Sequence, residues 1–332
     1  MNESGRAQFF ASVEARRDML TSLIASVAQG YFQLLALDEQ LAIARRSTNT
    51  FAQTLTIFEQ RLQMGVASKL ETASAEAALR SAAATVPELE RQIAVQENLI
   101  AVLMGENPRP LFRHRALLDQ EQPPLDIPTG LPSRLLERRP DIRAAEELLR
   151  SANAQVGVAK ADFFPQINLT GLLGQTSPEL SWFTSGTGNA WNLAAGVTGP
   201  IFQGGLHAAR YRQAKAAWEQ ARLQYQSTIL TVFQEVSNAL IAREKLARER
   251  ELQTQAVEAF REAVRVANER YIAGRAGYYE LLQEEQQLYP AENTLTQIEL
   301  NQLLAVVQLY RALGGGWETP AEQIAGGEKP KK

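Results

Sequence analysis

The sequence contains no cysteine and only two histidines among its 332 residues. The absence of cysteine excludes disulfide bonds, thiolate metal sites and cysteine nucleophiles. The histidines, His114 and His207, stand alone, with no second ligand at a spacing that suits a metal ion. The net charge is −3 and basic residues are dispersed among acidic ones, which gives no electrostatic reason to expect nucleic acid. The composition therefore predicts no metal, no cofactor and no nucleic-acid partner.

Long hydrophobic runs are also missing. No stretch reaches the roughly 18 apolar residues of a transmembrane helix, and the segment LIASVAQGYFQLLAL is interrupted by Ser26, Gln29, Gly30 and Gln33. The first residues, MNESGRAQFF, lack the basic start and apolar core of a signal peptide. Taken alone, these absences suggest a cytosolic protein. The features described below favour a different interpretation, in which the chain lacks its natural beginning.

Catalytic motifs are absent as well. No serine lies in a nucleophile elbow, and no GKS or GKT follows the glycines of GGLHAAR as a phosphate-binding loop requires. The sequence therefore predicts that this protein is not an enzyme.

The chain repeats itself at an offset of 209 residues, the difference between the positions of Gly65 and Gly274. Gly65 lies in RLQMGVASKLETASAEAAL and Gly274 in RYIAGRAGYYELLQEEQQL. The repeat needs no gap from about Val27 to Gly105, and we expect each copy to be a long helix, a glycine break and a long return helix. Identical pairs at this offset include Arg61 and Arg270, Ala67 and Ala276, Glu71 and Glu280, and Gly105 and Gly314.

Each repeat is predicted to form one helical hairpin. In the first, residues 7–104, a helix from about Ala7 to Leu62 shows apolar residues at helical spacing. It ends at a break, after which Ser68 can cap the return helix with Glu71 at capping-box distance. In the second hairpin, residues 204–313, the long helix continues to about Tyr271 and would reach roughly 100 Å at 1.5 Å per residue. A polar tail, residues 314–332, follows.

The segment between the two hairpins changes character twice. Residues 105–132 are rich in proline and have no helical period, which predicts an irregular connector. Residues 133–164 resume a helical pattern, with Pro140 placed as a first-turn proline. At residue 165 the pattern changes to a two-residue period that continues to residue 202.

This two-residue period predicts a β-hairpin. QINLTGLLG and WNLAAGVTGPIF alternate apolar residues with small or polar ones, and a loop at about 175–190 separates them. Strands of about ten alternating residues bracketed by aromatics are a weak signature of a transmembrane β-barrel. A lone hairpin cannot span lipid, because its edges would leave backbone groups unpaired. The residues predicted to face the membrane are Ile167, Leu169, Leu173, Leu193, Val197 and Ile201, and Pro165 and Pro200 are predicted to form the swivel between helix and strand.

The run GLPSRLLERRPDIRAAEELLRSANAQVGVAKADFFPQINLTG, followed by GPIFQGG and LYRALGGGW, is similar to the outer-membrane efflux proteins of the TolC-like channel family. The similarity is to the lipoprotein (NodT-type) branch, which serves resistance-nodulation-division (RND) pumps, and it covers essentially the whole chain. It implies a mainly α fold with a small membrane β part. The chain would form a homotrimer, with a β-barrel in the outer membrane and an α-barrel of long helical hairpins crossing the periplasm.

The resemblance also implies a function and partners. The protein would be a passive export duct for drugs or other small molecules, driven by an inner-membrane RND transporter through a periplasmic membrane-fusion adaptor. Family members carry a β-hairpin in each repeat and begin with a signal peptide and an acylated cysteine. Only the second hairpin is found here, because Met1 falls just before the first long helix. We therefore expect an N-terminally shortened chain, whether through a misassigned start or a truncated gene.

The resemblance assigns a periplasmic gate to the helical breaks. It places Glu280 in a ring of carboxylates around the threefold axis, and it places Glu71 opposite Tyr271 as a carboxylate–phenol tie. The alternative from the residues alone is that Glu71 is a capping glutamate and Glu280 a solvated surface acid. The tips predicted to dock the adaptor are Met64, Gly65, Val66, Ala67, Ser68, Ala273, Gly274, Arg275, Ala276, Gly277 and Tyr278.

Three other functions remain open from the sequence. The charged residues dispersed along the predicted helices, and the missing signal peptide, would suit a soluble helical scaffold. A channel of this kind could instead serve as the exit duct of type I protein secretion. A shortened chain could also be a non-functional remnant.

Overall fold

The structure, a computed structural model, describes residues 2–113, 116–117, 138–175 and 189–315. The helices and strands, in chain order, are α1 (Asn2–Gln63), α2 (Lys69–Leu103), α3 (Pro140–Ala161), β1 (Gln166–Gln175), β2 (Asn189–Thr198), α4 (Leu206–Ile272) and α5 (Tyr278–Ala312). The predicted fold class, long helical hairpins with one β-hairpin, is confirmed. The predicted connector beyond residue 117, the hairpin loop at 176–188 and the tail beyond residue 315 lie outside the described residues.

The internal repeat extends to the ends of the helices. Helices α1 and α4 end at residues 63 and 272, and α2 and α5 begin at 69 and 278 and end at 103 and 312. Each pair of positions differs by the 209 residues found in the sequence. The two return helices are both followed by a glycine in the left-handed region, Gly105 with φ 75° and Gly314 with φ 76°. A positive φ at this position is a common way to end a helix.

One compact unit comprises residues 1–15 and 140–230. In it the start of α1 packs along α3. The hydroxyls of Ser4 and Ser151 lie 2.9 Å apart, and Gln155 Nε2 donates to Ser4 Oγ at 2.7 Å. Arg143 pairs with the buried Glu14 at 3.0 Å. Small residues and one partly buried ion pair therefore hold the two helices close together.

The β-hairpin belongs to the same unit and has two different faces. Strands β1 and β2 are antiparallel, with Ile167 opposite Val197 and Leu173 opposite Trp191. Directly opposed residues share a face, so most of the large apolar residues of both strands lie together on one side, and Leu172, opposite Asn192, is the exception. The other side carries small and polar residues such as Thr170, opposite Ala194. This arrangement confirms that Ile167, Leu169, Leu173, Leu193 and Val197 share one face, and each is at least 70% exposed.

The second compact unit comprises residues 16–139 and 231–332. It is built from α2, α5 and the remaining parts of α1 and α4. Gly30 on α1 permits a close approach to α2, because a Cβ at this position would lie 3.1 Å from the Ile100 side chain. Gln96 Nε2 donates to the Gly30 carbonyl at 2.9 Å across the same contact. A separate cluster joins α1 to α5 through Leu35, Ala36, Leu300 and Leu303.

Helix α1 contains an 18-residue window that is apolar enough to cross a membrane by length and composition, and 39% of that window is buried within the structure. The expectation that no such segment exists is wrong by this criterion. Helices that pack against other helices meet the same criterion, so the window is weak evidence of a membrane span.

Candidate functional site

The two helical tips are built by the same backbone turn. Gly65 has φ 73° and Gly274 has φ 68°, a region that L side chains rarely adopt. In the first tip, Val66 N donates to Arg61 O at 2.8 Å, and in the second tip Arg275 N donates to Arg270 O at the same distance. Each donor and each acceptor therefore has its counterpart 209 residues along the chain.

The helix caps beyond the two turns differ. Ser68 caps α2, with Glu71 N donating to Ser68 Oγ at 3.2 Å and Ser68 N donating to Glu71 Oε2 at 2.7 Å. This is the capping box that the sequence pattern predicts. At the corresponding position of the second repeat, Gly277 provides no side-chain cap. Glu280 there pairs with Arg270 at 2.6 Å. The two acids at matching repeat positions thus have different partners.

The predicted hydrogen bond between Glu71 and Tyr271 is not formed within this chain. The Glu71 carboxylate accepts from the backbone of its own cap, and the Tyr271 hydroxyl accepts a hydrogen bond from Arg61 Nη1. The Arg61 guanidinium carbon also lies 5.1 Å from the centroid of the Tyr271 ring. Arg61 lies in the last turn of α1, and its side chain contacts Tyr271 on α4. Glu71 lies in the first turn of α2, where its carboxylate is used by the cap.

An aromatic cluster holds the tips together. The ring of Phe58 lies 4.1 Å from that of Tyr278 and 6.0 Å from that of Tyr271, measured between centroids. Aromatic pairs at such distances stabilise a fold beyond the area they bury. The cluster joins all four helices of the unit. Its buried members are Phe51, Phe58, Ala75, Ala267, Tyr278, Leu281 and Leu282.

Burial in this cluster corrects one predicted docking residue. Tyr278 is only 3% exposed, so its ring is core, not surface; its neighbour Tyr279 is 77% exposed. The remaining predicted tip residues are exposed or half-buried, with Met64 at 68% and Val66 at 65%. The side chain of residue 278 points inward because it begins α5 directly above the ring of Phe58.

Two titratable groups in the cluster have perturbed acidity. The Tyr278 hydroxyl is buried and has no hydrogen-bond partner among the described residues. Its burial, and then the nearby Glu285 carboxylate, raise the pKa of Tyr278 above its ordinary value. Burial also raises the pKa of Glu285 to about 7. The sequence marks Glu285 only as the repeat counterpart of Glu76, and that does not predict its burial.

An ion cluster around the buried Glu292 was likewise not predicted. Glu292 on α5 accepts from Arg46 on α1 at 2.9 Å and from Arg261 on α4 at 2.8 Å. The Glu292 side chain is only 9% exposed. One buried carboxylate thus connects three helices through two arginines that are each more than half exposed.

The predicted swivel residues both lie at the open end of the hairpin, where β1 begins and β2 ends. Pro165 precedes β1, and Pro200 follows Gly199 at the end of β2. A Cβ on Gly199 would lie 3.2 Å from the Cα of Pro165. Gly199 therefore permits a close approach that the sequence analysis missed. Ile201, predicted to face the membrane, lies beyond β2 and is fully exposed.

Comparison with known proteins identifies relatives over almost the whole chain. Residues 2–106 and 131–315 match the family described as outer membrane efflux protein. The antibiotic efflux pump outer membrane protein ArpC of Pseudomonas putida is 33% identical over 100% of this chain and 69% of its own length. The cation efflux system protein CusC of Escherichia coli is 30% identical over 96% of this chain and 69% of its own length.

The fold has close structural relatives. The open state of the MtrE outer membrane channel of Neisseria gonorrhoeae superimposes with a TM-score of 0.85 at 34% sequence identity. The match covers 95% of this chain and 71% of that one.

Proposed function

Because this chain belongs to the outer membrane efflux protein family, we propose that it is the outer-membrane exit duct of a tripartite RND-type efflux pump. The family is one of outer-membrane channels, so the chain has a channel role in efflux at the outer membrane. The observation that carries the proposal is the pair of helical hairpins, whose helix ends and turn hydrogen bonds recur at one offset. Such a repeat suits a symmetric wall.

Trimeric assembly is part of the proposal. The described sheet has two strands only, and both of its outer edges present backbone groups that lipid cannot satisfy. Copies arranged around an axis would pair these edges. The apolar face of the hairpin, with Leu169 and Leu193 about three-quarters exposed, would then face lipid.

The helical tips would hold the gate and the adaptor contact. Tight turns with exposed Met64 and Val66 present a narrow apolar tip to a partner. The tip of the second repeat exposes Gly274 and the charged Arg275. For the gate, the contact between Arg61 and Tyr271 connects α1 to α4. We assign the tie to Arg61 and Tyr271 in place of Glu71. Glu280 lies beside the turn, half-exposed and paired with Arg270, which reduces the charge that it would bring to a carboxylate ring.

We expect the inner-membrane transporter to determine which compounds are exported. ArpC is named for antibiotics and CusC for cations, yet the sequence identity of this chain to the two proteins is similar, at 33% and 30%. Residues of the duct would therefore not determine which class of molecule is carried. We expect selectivity to lie in the inner-membrane transporter.

The direct test is transport. The chain would be expressed in a strain that lacks its own outer-membrane channel but retains an RND transporter and adaptor, and drug tolerance would be compared with an empty vector. Restored tolerance, together with single-channel conductance of the purified protein in planar bilayers, supports the duct. Membrane targeting without conductance would favour the non-functional remnant, and recovery only in the soluble fraction would favour the helical scaffold.

A further inference from the structure

The helices that lead into and out of the β-hairpin carry an unbalanced positive charge. Between residues 151 and 218, the described part of the chain has one acid, Asp162. The same part has four lysines and arginines, which are Lys160, Arg210, Arg212 and Lys215. Positive charge therefore collects close to the predicted membrane segment.

Three of these four basic side chains, Lys160, Arg210 and Arg212, are exposed and have no ion-pair partner among the described residues. Further along α4 the arginines are paired, as Arg222 is with Glu219 at 2.5 Å. The fourth basic side chain contributes, after the hydrogen bond from Arg222, to the lowering of the pKa of Glu219, so it is already partly compensated. The three others are available to an external anion.

The three unpaired side chains surround the base of the hairpin. Lys160 lies three residues before Phe163 at the end of α3. The ring of Phe163 lies 6.4 Å from that of Tyr211, measured between centroids, so the end of α3 and the start of α4 are neighbours. Arg210 and Arg212 are the residues on either side of Tyr211. Successive helix residues are rotated by about 100°, so these two arginines project to different sides of α4.

The depth of these charges suits the headgroup layer of a membrane. Strands of about ten residues are long enough to cross the hydrocarbon core, and the exposed rings of Phe164 and Phe202 lie just beyond the strands at the open end of the hairpin. Arg210 and Arg212 lie about 6 Å and 9 Å along α4 from its first residue, at 1.5 Å per residue. The headgroup layer is roughly 5–8 Å deep on each side of the core. The charges therefore lie next to the apolar boundary, on its polar side.

We propose that Lys160, Arg210 and Arg212 form a basic belt that binds anionic phospholipid headgroups at the base of the hairpin. With Asp162 included, the net charge of the belt is +2. A lipid with a net negative charge, such as phosphatidylglycerol, complements this charge, whereas a zwitterionic lipid does not. Arginine also matches the geometry of a phosphate group. The adjoining exposed rings favour a lipid over a soluble phosphate. The inference rests on the proposed membrane position of the hairpin and adds a lipid preference to it.

The test is native mass spectrometry of the purified full chain in detergent, titrated with phosphatidylglycerol or with phosphatidylcholine of the same acyl chains. We expect the wild type to bind its first phosphatidylglycerol at least about fivefold more tightly than its first phosphatidylcholine, because each basic residue near an anionic lipid contributes roughly that factor. The double variant Arg210→Gln with Arg212→Gln should lose at least about fivefold in affinity for phosphatidylglycerol and keep its affinity for phosphatidylcholine.

The matched control is the double variant Arg150→Gln with Arg222→Gln. It removes the same charge from the same compact unit, but both arginines are paired with acids of their own helices. The control should retain the preference of the wild type. Raising the ammonium acetate concentration from about 0.1 M to about 1 M shortens the Debye length from roughly 10 Å to roughly 3 Å, which should weaken the binding of phosphatidylglycerol more than that of phosphatidylcholine.

Equal affinity of the wild type for the two lipids would overturn the basic belt, as would an equal loss in the control, which would assign the preference to net charge. If the variant at positions 210 and 212 fails to fold, Lys160→Gln tests the belt from α3. It should lose at least about twofold in affinity for phosphatidylglycerol, and unchanged affinity would contradict the proposal. Equal binding of both lipids by a conducting channel would refute only the belt. Binding of neither lipid would refute the membrane position of the hairpin as well.

Discussion

Arg61 donates a hydrogen bond to the hydroxyl of Tyr271, and its guanidinium carbon lies 5.1 Å from the centre of the same ring. The contact joins the last turn of α1 to the last turn of α4, immediately before the two tight turns. One side chain thus combines a charge-assisted hydrogen bond with cation–π attraction. The family resemblance suggested a carboxylate in this role, but the carboxylate caps its own helix.

This contact predicts the behaviour of the gate. Arg61→Ala and Tyr271→Phe should each raise the mean single-channel conductance, because either change removes the hydrogen bond between α1 and α4. Their effects should be non-additive, with a coupling on the order of 1 kcal/mol in a double-mutant cycle. Glu71→Ala is the control and should leave conductance unchanged. An increase for Glu71→Ala but not for Arg61→Ala would restore the carboxylate–phenol tie in the assembled channel.

Because α2 and α5 are capped differently, we expect substitutions at their N-caps to change helix stability in opposite directions. Ser68→Ala should destabilise the start of α2 by about 1 kcal/mol, because it removes the side-chain acceptor at the N-cap. Gly277→Ser should stabilise the start of α5 by a few tenths of a kcal/mol, since Gly277 has the extended backbone of a cap, with φ −76° and ψ 155°, but no side-chain hydrogen bond. Amide hydrogen exchange in the first turn of each helix measures both effects. Faster exchange at α5 in Gly277→Ser would contradict the prediction.

The turn glycines should not tolerate a side chain. Gly65→Ala and Gly274→Ala have open space around the added Cβ, so any cost comes from the positive φ alone. We expect a loss of roughly 1 kcal/mol for each. Gly157→Ala is the matched control: it too has open space, but its backbone is helical, and alanine there should stabilise by about 0.5–1 kcal/mol. Thermal unfolding by circular dichroism would rank the three variants, and equal losses at positions 65 and 157 would refute the backbone explanation.

The buried Glu285 predicts a stability that depends on pH. Its pKa is raised from 4.5 to about 7 in the folded chain, so the folded state binds more protons than the unfolded state between these values. Packing of the tips should therefore weaken as pH rises from about 4.5 to 7, by at most roughly 3 kcal/mol. Denaturant unfolding at a series of pH values checks this.

Glu285→Gln tests the origin of that dependence. The amide cannot ionise, so the variant should lose this part of the pH dependence and become more stable than the wild type above pH 7. Glu284→Gln should keep the wild-type profile. A profile unchanged by Glu285→Gln would assign the effect to other groups.

The sequence by itself determined the architecture of this protein. Helix ends, turn glycines and the capping box at Ser68 depend on contacts within a few residues. The helix ends and turn glycines also recur in both repeats. The two faces of the hairpin followed from alternation, because the register of opposed strands keeps apolar residues on one side. Membership of a channel family followed from motifs that cover the chain.

Only the tertiary structure decided which side chains meet at the tips. Equal positions in the repeat suggested equal roles for Glu71 and Glu280, yet one caps a helix and the other pairs with Arg270. Tyr278 was expected at the surface and is buried against Phe58. Arg61 and Glu285 are repeated residues in the sequence, but the repeat does not predict their contacts or burial. Local sequence patterns predict helices and turns, because the backbone hydrogen bonds of these elements join residues that are close in sequence. The partners and burial of a side chain depend on helices about 200 residues apart, and those are set by packing.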